Sequence, residues 1–260
     1  MSKLPLSVFI ICYNEQDRIG LMLDSIKNLT DDIVIIDSGS MDATLDIAKT
    51  YTDRIYHKDW EGYGPQKTYG QSLCKYDWIL NLDADEILSD AVKTNIRTLF
   101  NRDETKRLPA YNLRFCLVGM LSKTLKPRPL CPVNVTPRLY DRQRAGFKNS
   151  AVHDKVIIYN GGEFGDIGGS VAHISYTSYS QLWDKTRSYC ELQAQDWFEK
   201  GKKPSVLKAV FDPPIFFLKN YFLRRFCFLG LDGFIMSVIL SASRALRIGL
   251  ALEKFNKSVR

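Results

Sequence analysis

Two carboxylates one residue apart, Asp83 and Asp85, close the apolar run Trp78–Leu82 (WILNL). From a turn at the end of a buried strand both can face one crevice and offer oxygen to a hard cation. Mg²⁺ or Mn²⁺ commonly binds one or two such carboxylates and completes its shell with substrate phosphates and water. The plainer use of these residues is to cap a following helix, for which Asp85 and Glu86 are suited. Asp37 stands in the same way after Ile33–Ile36, with Ser38, Gly39, Ser40 and Asp42 behind it. A carboxylate there can accept the imide N–H of a uracil or a ribose hydroxyl. Ser40 or Asp42 is enough to cap the next helix, which leaves Asp37 for other work. A third polar pair, Asn14 and Glu15, follows a third apolar run.

The elements that must position these residues read as an alternation. Leu6–Cys12 and Ile33–Ile36 are short continuous apolar runs rich in β-branched residues, as expected of strands buried on both faces. Between them Asp17–Leu29 places Ile19, Met22, Leu23 and Ile26 at helical spacing, and Asp42–Thr50 predicts a second helix. Ile55–His57 predicts a short strand, Pro65–Cys74 a helix, and Trp78–Leu82 a further buried strand. Strands alternating with helices make a doubly wound, mostly parallel α/β sheet whose ligand site lies at the carboxyl ends of the strands. All three polar clusters fall at such ends. From about Ala110 shorter strand-like pieces broken by Pro and Gly (YNLRFCLVG, VTPRLYD, VHDKVIIY) predict a mixed sheet that completes the site, and from Ser180 the pattern turns helical. The expected division is a catalytic part, residues 1–180, and a helical extension, residues 181–260.

Charge separates the two parts. The chain of 260 residues has a net charge of +7, yet residues 1–100 carry 10 Lys and Arg against 16 Asp and Glu, and residues 201–260 carry 11 against 3. An acidic half suits a metal site, and a basic end suits an anionic surface, either nucleic acid or membrane. Phe216, Phe217, Tyr221, Phe222, Phe226 and Phe228 are interleaved with Lys219, Arg224 and Arg225, and an apolar stretch, Phe234–Ala242, follows before Arg244 and Arg247. That stretch is shorter than the roughly 20 residues of a spanning helix, so an in-plane amphipathic anchor or shallow hairpin is expected. The six cysteines are scattered without close pairs, which fits a reducing compartment, and the N-terminus shows no apolar leader, so secretion is not expected.

Taken in order, SVFIICYNEQDRIGLMLDSI, IVIIDSGSMDAT, WEGYGPQKTYG and WILNLDADEIL resemble the nucleotide-sugar-binding half of the family 2 glycosyltransferases, and more narrowly the bacterial lipopolysaccharide-core β-glucosyltransferase type. The likeness runs through residues 6–90 and continues more loosely in PRLYD (137–141), AVHDK (151–155), HISYTS (173–178) and LDGF (231–234). It implies a GT-A-like fold and inverting, metal-dependent transfer of a hexose, glucose from UDP-glucose, onto a lipopolysaccharide core or related lipid-linked saccharide. By the same resemblance Asn14 and Glu15 line the nucleotide pocket, Asp37 binds the base, Gln66 and Lys67 lie near the nucleotide and its phosphates, Asp83 contacts ribose or metal water, and Asp85 holds Mg²⁺ or Mn²⁺. Asp154 falls at the position of the base that deprotonates the acceptor; many relatives have Glu there, so this side chain is one methylene shorter. Of the three histidines, His173 is the candidate for a third metal or diphosphate contact. Arg138 is the candidate anion contact, where a guanidinium fork suits a diphosphate.

The expected location is peripheral, on the cytoplasmic face of an anionic membrane. The rival readings are a polyprenyl-phosphate sugar transferase with the same donor half, a nucleotide-binding scaffold, and a nucleic-acid-binding protein that would use the basic, aromatic C-terminal segment. The last leaves the acidic strand ends without a role, so no nucleic-acid partner is expected.

Overall fold

The computed structural model describes residues 2–103, 107–147 and 155–257. The chain divides into two compact units: Met1–Cys116 with Val133–Ile174, and Leu117–Pro132 with Ser175–Arg260.

The first unit is built on β1 (Leu4–Cys12), α1 (Ile19–Ile26), β2 (Thr30–Asp37), α2 (Thr44–Lys49), β3 (Ile55–His57), α3 (Tyr63–Ser72), β4 (Trp78–Asp83), β5 (Glu86–Leu88) and α4 (Asp90–Phe100). It continues with β6 (Ala110–Leu117), β7 (Val133–Asp141), β8 (Ala145–Phe147), β9 (Val156–Ile158), β10 (Gly165–Asp166) and β11 (Val171–His173). The main sheet runs β3-β2-β1-β4-β7-β6-β11-β5, with β10 added to β6. Its first four strands are parallel. The mixed half begins where β7 pairs antiparallel with both β4 and β6.

β1 shows why the strand runs read as continuous. Leu6, Val8 and Ile10 join one core with Ile19, Met22, Leu23 and Ile26 of α1 and Val92 and Ile96 of α4, while Phe9 and Ile11 join a second core with Val34, Ile36 and Tyr140. A strand covered on both faces has no polar side to alternate with. Each large side chain so buried contributes about 1.5–3 kcal/mol. The two layers approach closely at Gly70 of α3, where a Cβ would lie 2.5 Å from the ring of Phe9.

Register brings the strand ends level: Cys12 of β1 pairs with Asp37 of β2, and Ile11 of β1 with Asp83 of β4. The polar residues that follow these strands therefore share one edge. After Asp83 the chain enters β5, not a helix, and α4 is capped by Ser89, whose hydroxyl accepts from the Val92 amide. The capping use of Asp85 and Glu86 is thus set aside.

The second unit holds α5 (Tyr179–Glu199), α6 (Val206–Leu218), a π-helical turn at Lys219–Leu223, a 3-10 turn at Phe226–Leu229 and α7 (Leu231–Lys257). Within it Asp232 is buried and accepts from the Leu121 amide at 2.9 Å and from the Tyr179 hydroxyl at 2.7 Å. Burial and that hydrogen bond push the Tyr179 phenol up to about 12. The next residue, Gly233, lies where any Cβ would run into the carbonyl of Phe226. The LDGF segment thereby ties the 117–132 excursion to the helices. The hairpin alternative for the C-terminal apolar stretch is corrected here: α7 is one continuous helix of 27 residues, long and apolar enough to cross a membrane by length and composition. Arg244 and Arg247 do not interrupt it: arginine is a good helix former, and Asp212 of α6 and Gln193 of α5 pair with them from the side.

Candidate active site

Two loops at the strand ends are fastened to each other. Asn14, at φ 53°, takes the left-handed conformation that Asn tolerates better than most residues. Its amide donates to Ser40 Oγ at 2.9 Å, and its side-chain oxygen accepts from the Met41 amide at 2.9 Å. The Glu15 amide donates to Thr44 Oγ1 at 2.7 Å, the Gln16 amide to Asp42 Oδ2 at 3.2 Å, and the Ala43 amide to Gln16 Oε1 at 3.1 Å.

Asp37 is 3% exposed and holds its own turn. Its Oδ2 accepts from the amides of Gly39 (2.8 Å) and Ser40 (2.9 Å), and its Oδ1 from the Ser40 hydroxyl (2.5 Å). Burial, then the charge of Asp37, pushes the neighbouring Cys12 thiol well above its usual range. Gln66 is fully buried; its amide nitrogen donates to the carbonyls of Lys58 and Asp59 at 2.9 Å, and its Oε1 has no hydrogen-bond partner among the described residues.

The acidic turn is the electrostatic centre. Lys67 is 1% exposed, with Nζ 3.6 Å from Asp83 Oδ1 and the rings of Phe147 and Tyr63 beside it. Arg138 of β7 crosses from the neighbouring strand: Nη2 donates to Asp83 Oδ2 (2.8 Å) and Glu86 Oε1 (2.9 Å), and Nη1 to Asn81 Oδ1 (2.7 Å). Burial alone would raise Asp83, but the charges of Arg138 and Lys67 outweigh it and hold the carboxyl far below its ordinary value. Glu86 moves the other way, pushed up by a burial that Arg138 only partly offsets. Asp85 faces a different set: its Oδ2 lies 3.2 Å from His173 Nε2 and 3.8 Å from Arg18 Nη1. Arg18 also pairs with Glu15 and donates to the Ile174 carbonyl at 2.9 Å. Burial disfavours the His173 imidazolium, yet its hydrogen bond to Asp85 and the three carboxylate charges around it leave its pKa raised.

Of the residues singled out from sequence, Lys67, Asp83, Asp85, Arg138 and His173 thus meet around one turn, while Asn14, Glu15, Asp37 and Gln66 shape the loops at the parallel strand ends. Asp154 lies outside the described residues. Arg138, expected to meet a ligand anion, is committed to Asp83, Glu86 and Asn81, and its side chain is only 11% exposed. Arg18 and Glu86 were missed. Glu86 was visible as the third acid of Asp83-Ala84-Asp85-Glu86, whereas nothing local marks Arg18 as the partner of an acid 67 positions on.

The donor set suits a hard cation shared with a substrate. Among the described residues no group of three or more His, Cys, Asp or Glu side chains is placed to hold a metal ion by itself. Asp85 and His173 adjoin, Asp83 lies next to them with a buried oxygen that accepts no hydrogen bond, and remaining positions would fall to phosphate and water.

A parallel sheet that levels acidic and cationic side chains at its carboxyl ends, extended by an antiparallel half, defines a mixed α/β fold with its polar groups gathered at the strand ends. The profile of glycosyl transferase family 2 matches residues 7–106. An uncharacterised glycosyltransferase of Rickettsia prowazekii is 37% identical over 94% of this chain and 85% of its own length. The lipopolysaccharide core biosynthesis glycosyltransferase LpsC of Rhizobium meliloti is 32% identical over 90% of this chain and 86% of its own. The chain belongs to glycosyltransferase family 2. Among solved structures it resembles S. aureus TarS at 14% identity and a TM-score of 0.45, over 99% of this chain and 92% of that one. It also resembles glucosyl-3-phosphoglycerate synthase from Mycobacterium tuberculosis in complex with Mn²⁺ and UDP-glucose, at 20% identity and a TM-score of 0.34 over 43% of each chain.

Proposed function

We propose that this glycosyltransferase moves a hexose, glucose from UDP-glucose, with inversion at C1, onto a lipopolysaccharide core or related lipid-linked saccharide at the cytoplasmic face of a membrane. The observation that carries the reading is the Asp83–Asp85 turn, where Lys67, Arg138, Arg18 and His173 converge on two carboxylates at the end of β4. The likeness to LpsC over most of both chains supports the acceptor class.

In this reading the fastened loops hold the nucleotide, with Asp37 facing the base through the acceptor capacity its turn leaves over. Gln66 and Lys67 lie toward the phosphates. Asp85 and His173 would hold Mg²⁺ or Mn²⁺, which when bound would offset charge growing on the departing diphosphate. Arg138 acts through Asp83, fixing the carboxylate so that no reorganisation is needed when charge develops. Asp154 takes the proton from the acceptor hydroxyl while that oxygen attacks C1 from the face opposite the diphosphate.

The helical unit supplies the membrane contact. No residue of α6 is buried, and Leu207, Phe211, Ile215 and Leu218 recur at helical spacing on it. Phe222 and Leu223 continue the apolar surface, the latter 79% exposed. Lys208, Lys219, Arg224 and Arg225 lie along the same stretch. Each such cation near an anionic surface adds about 1 kcal/mol.

A panel of nucleotide sugars assayed with Mg²⁺ or Mn²⁺ tests the donor, with UDP-glucose expected to be turned over fastest. Offering a lipopolysaccharide-core saccharide beside undecaprenyl phosphate decides the acceptor. Asp154→Asn should lower kcat by a factor on the order of 10²–10⁴ with donor binding unchanged. Lost donor affinity would move Asp154 into the nucleotide site.

A further inference from the structure

Inside the helical unit a cavity of about 180 Å³ opens among α5, α6 and α7. It is smaller than the roughly 300–1,000 Å³ of pockets that enclose a drug-sized ligand, so it suits a headgroup-sized fragment. α5 brings Lys185, Tyr189 and Gln193 to its wall at four-residue spacing, one stripe of the helix. α7 contributes Arg244 and Arg247, one turn apart, and α6 contributes Phe216.

The lining contains three cations and no carboxylate. Among the described residues the one carboxylate paired with either arginine is Asp212, 2.9 Å from Arg244 Nε and 3.7 Å from Arg247 Nη2. One acid for three cations leaves an excess of about two positive charges, the charge of a phosphate monoester near neutral pH. The guanidinium planes are already fixed, Arg244 over the Phe216 ring and Arg247 over the Trp197 ring, each at 4.5 Å. Arg247 Nη1 donates to Gln193 at 2.7 Å, but Arg247 Nε is buried with no hydrogen-bond acceptor among the described residues. A buried donor left unmade costs about 1–3 kcal/mol. Burial, then the charge of Arg244, also holds Arg247 below the usual guanidinium range. Such a group is stabilised by an anion. Tyr176 and Tyr189 add aromatic faces at the wall, with Lys185 Nζ 5.6 Å from the Tyr176 ring.

We infer that this cavity is a second ligand site, which receives a phosphate monoester carried on a sugar or a lipid, with Lys185, Arg244 and Arg247 on the phosphate and the tyrosines beside the attached group. The site rests on the helical unit alone and stands or falls independently of the transfer reaction.

The test titrates the full chain with inorganic phosphate, with glucose 6-phosphate, and with phosphatidylcholine vesicles containing or lacking phosphatidic acid. Saturable binding is expected for at least one phosphate probe. It should weaken about tenfold in Lys185→Ala, an exposed position where the fold is safe, and in Arg247→Gln, as expected for loss of a charge-assisted hydrogen bond. Lys203→Ala, which removes a charge outside the cavity, should leave it unchanged. Binding of glucose 6-phosphate marks a soluble source, and binding confined to phosphatidic-acid vesicles marks a lipid one; both support the site. No saturable binding of any probe, binding insensitive to Lys185→Ala and Arg247→Gln, or equal loss in Lys203→Ala would each overturn it.

Discussion

At the strand ends Lys67, Arg138 and Arg18 are withdrawn from water and each is matched to a carboxylate, whereas on α6 no side chain is buried and Leu207, Phe211, Ile215 and Leu218 face outward. The first region pairs its buried cations internally and, among the described residues, leaves the acceptors Gln66 Oε1 and Asp83 Oδ1 without a hydrogen bond. The second leaves an apolar face exposed, which under the proposed function would be covered by a membrane surface. Substitutions should therefore separate cleanly, inner charges affecting chemistry or folding, outer apolar residues affecting association alone.

The largest effect is expected from Asp85→Ala. Steady-state turnover with Mg²⁺ or Mn²⁺ should fall by a factor on the order of 10³, while circular dichroism and the urea midpoint stay near the parent's. Near-normal turnover would remove the metal assignment. Next comes Arg138→Met, which strands Asp83 and Glu86 without their shared cation. Urea denaturation should show a loss of about 3–5 kcal/mol, the cost of breaking one side of a buried ionic cluster. A stable Arg138→Met enzyme would mean that the carboxylates are not held as described.

The outer region is tested by the pair Phe211→Glu and Leu218→Glu. Co-sedimentation with anionic vesicles should drop several-fold, while the melting temperature and hydrolysis of the donor in detergent stay unchanged, because neither side chain is buried. A lower melting temperature instead would make the stripe part of a core. The smallest effect is expected from Asp232→Asn, at about 1–2 kcal/mol by chemical denaturation. Spectrophotometric titration should then show the Tyr179 phenol, raised by burial and by its bond to Asp232, ionising at a lower pH than in the parent.

Much of the parallel half was legible because its signals are local. Ile19, Met22, Leu23 and Ile26 are the buried residues of α1, as their spacing required, and the polar clusters end β1, β2 and β4. The likeness of four ordered motifs added what local patterns could not. The antiparallel half was legible only as strand-like pieces, because its pairings span long loops. β5 meets β11, setting His173 opposite Glu86 across 87 positions, and no periodicity records such a partner. Arg138 shows the same limit in charge: a basic residue in a strand carries no mark of whether its fork faces a ligand or two buried acids. The 117–132 excursion grouped with the helices for a similar reason, through the carboxylate of Asp232 more than a hundred residues away. The length of α7 was underestimated because Arg244 and Arg247 look like an end to an apolar run until Asp212 and Gln193 are seen beside them.

The fastening of the two loops after β1 and β2 has a consequence in time. Five amide or side-chain links cross from Asn14, Glu15 and Gln16 to the segment 40–44, and none joins neighbours within one loop. Either loop can lift only if the whole set parts together, so the amides of Asn14, Glu15, Gln16, Met41 and Ala43 share a single opening event. In heavy water they should show one common protection factor, as one cooperative unit does. A nucleotide bridging both loops would slow all five by the same factor.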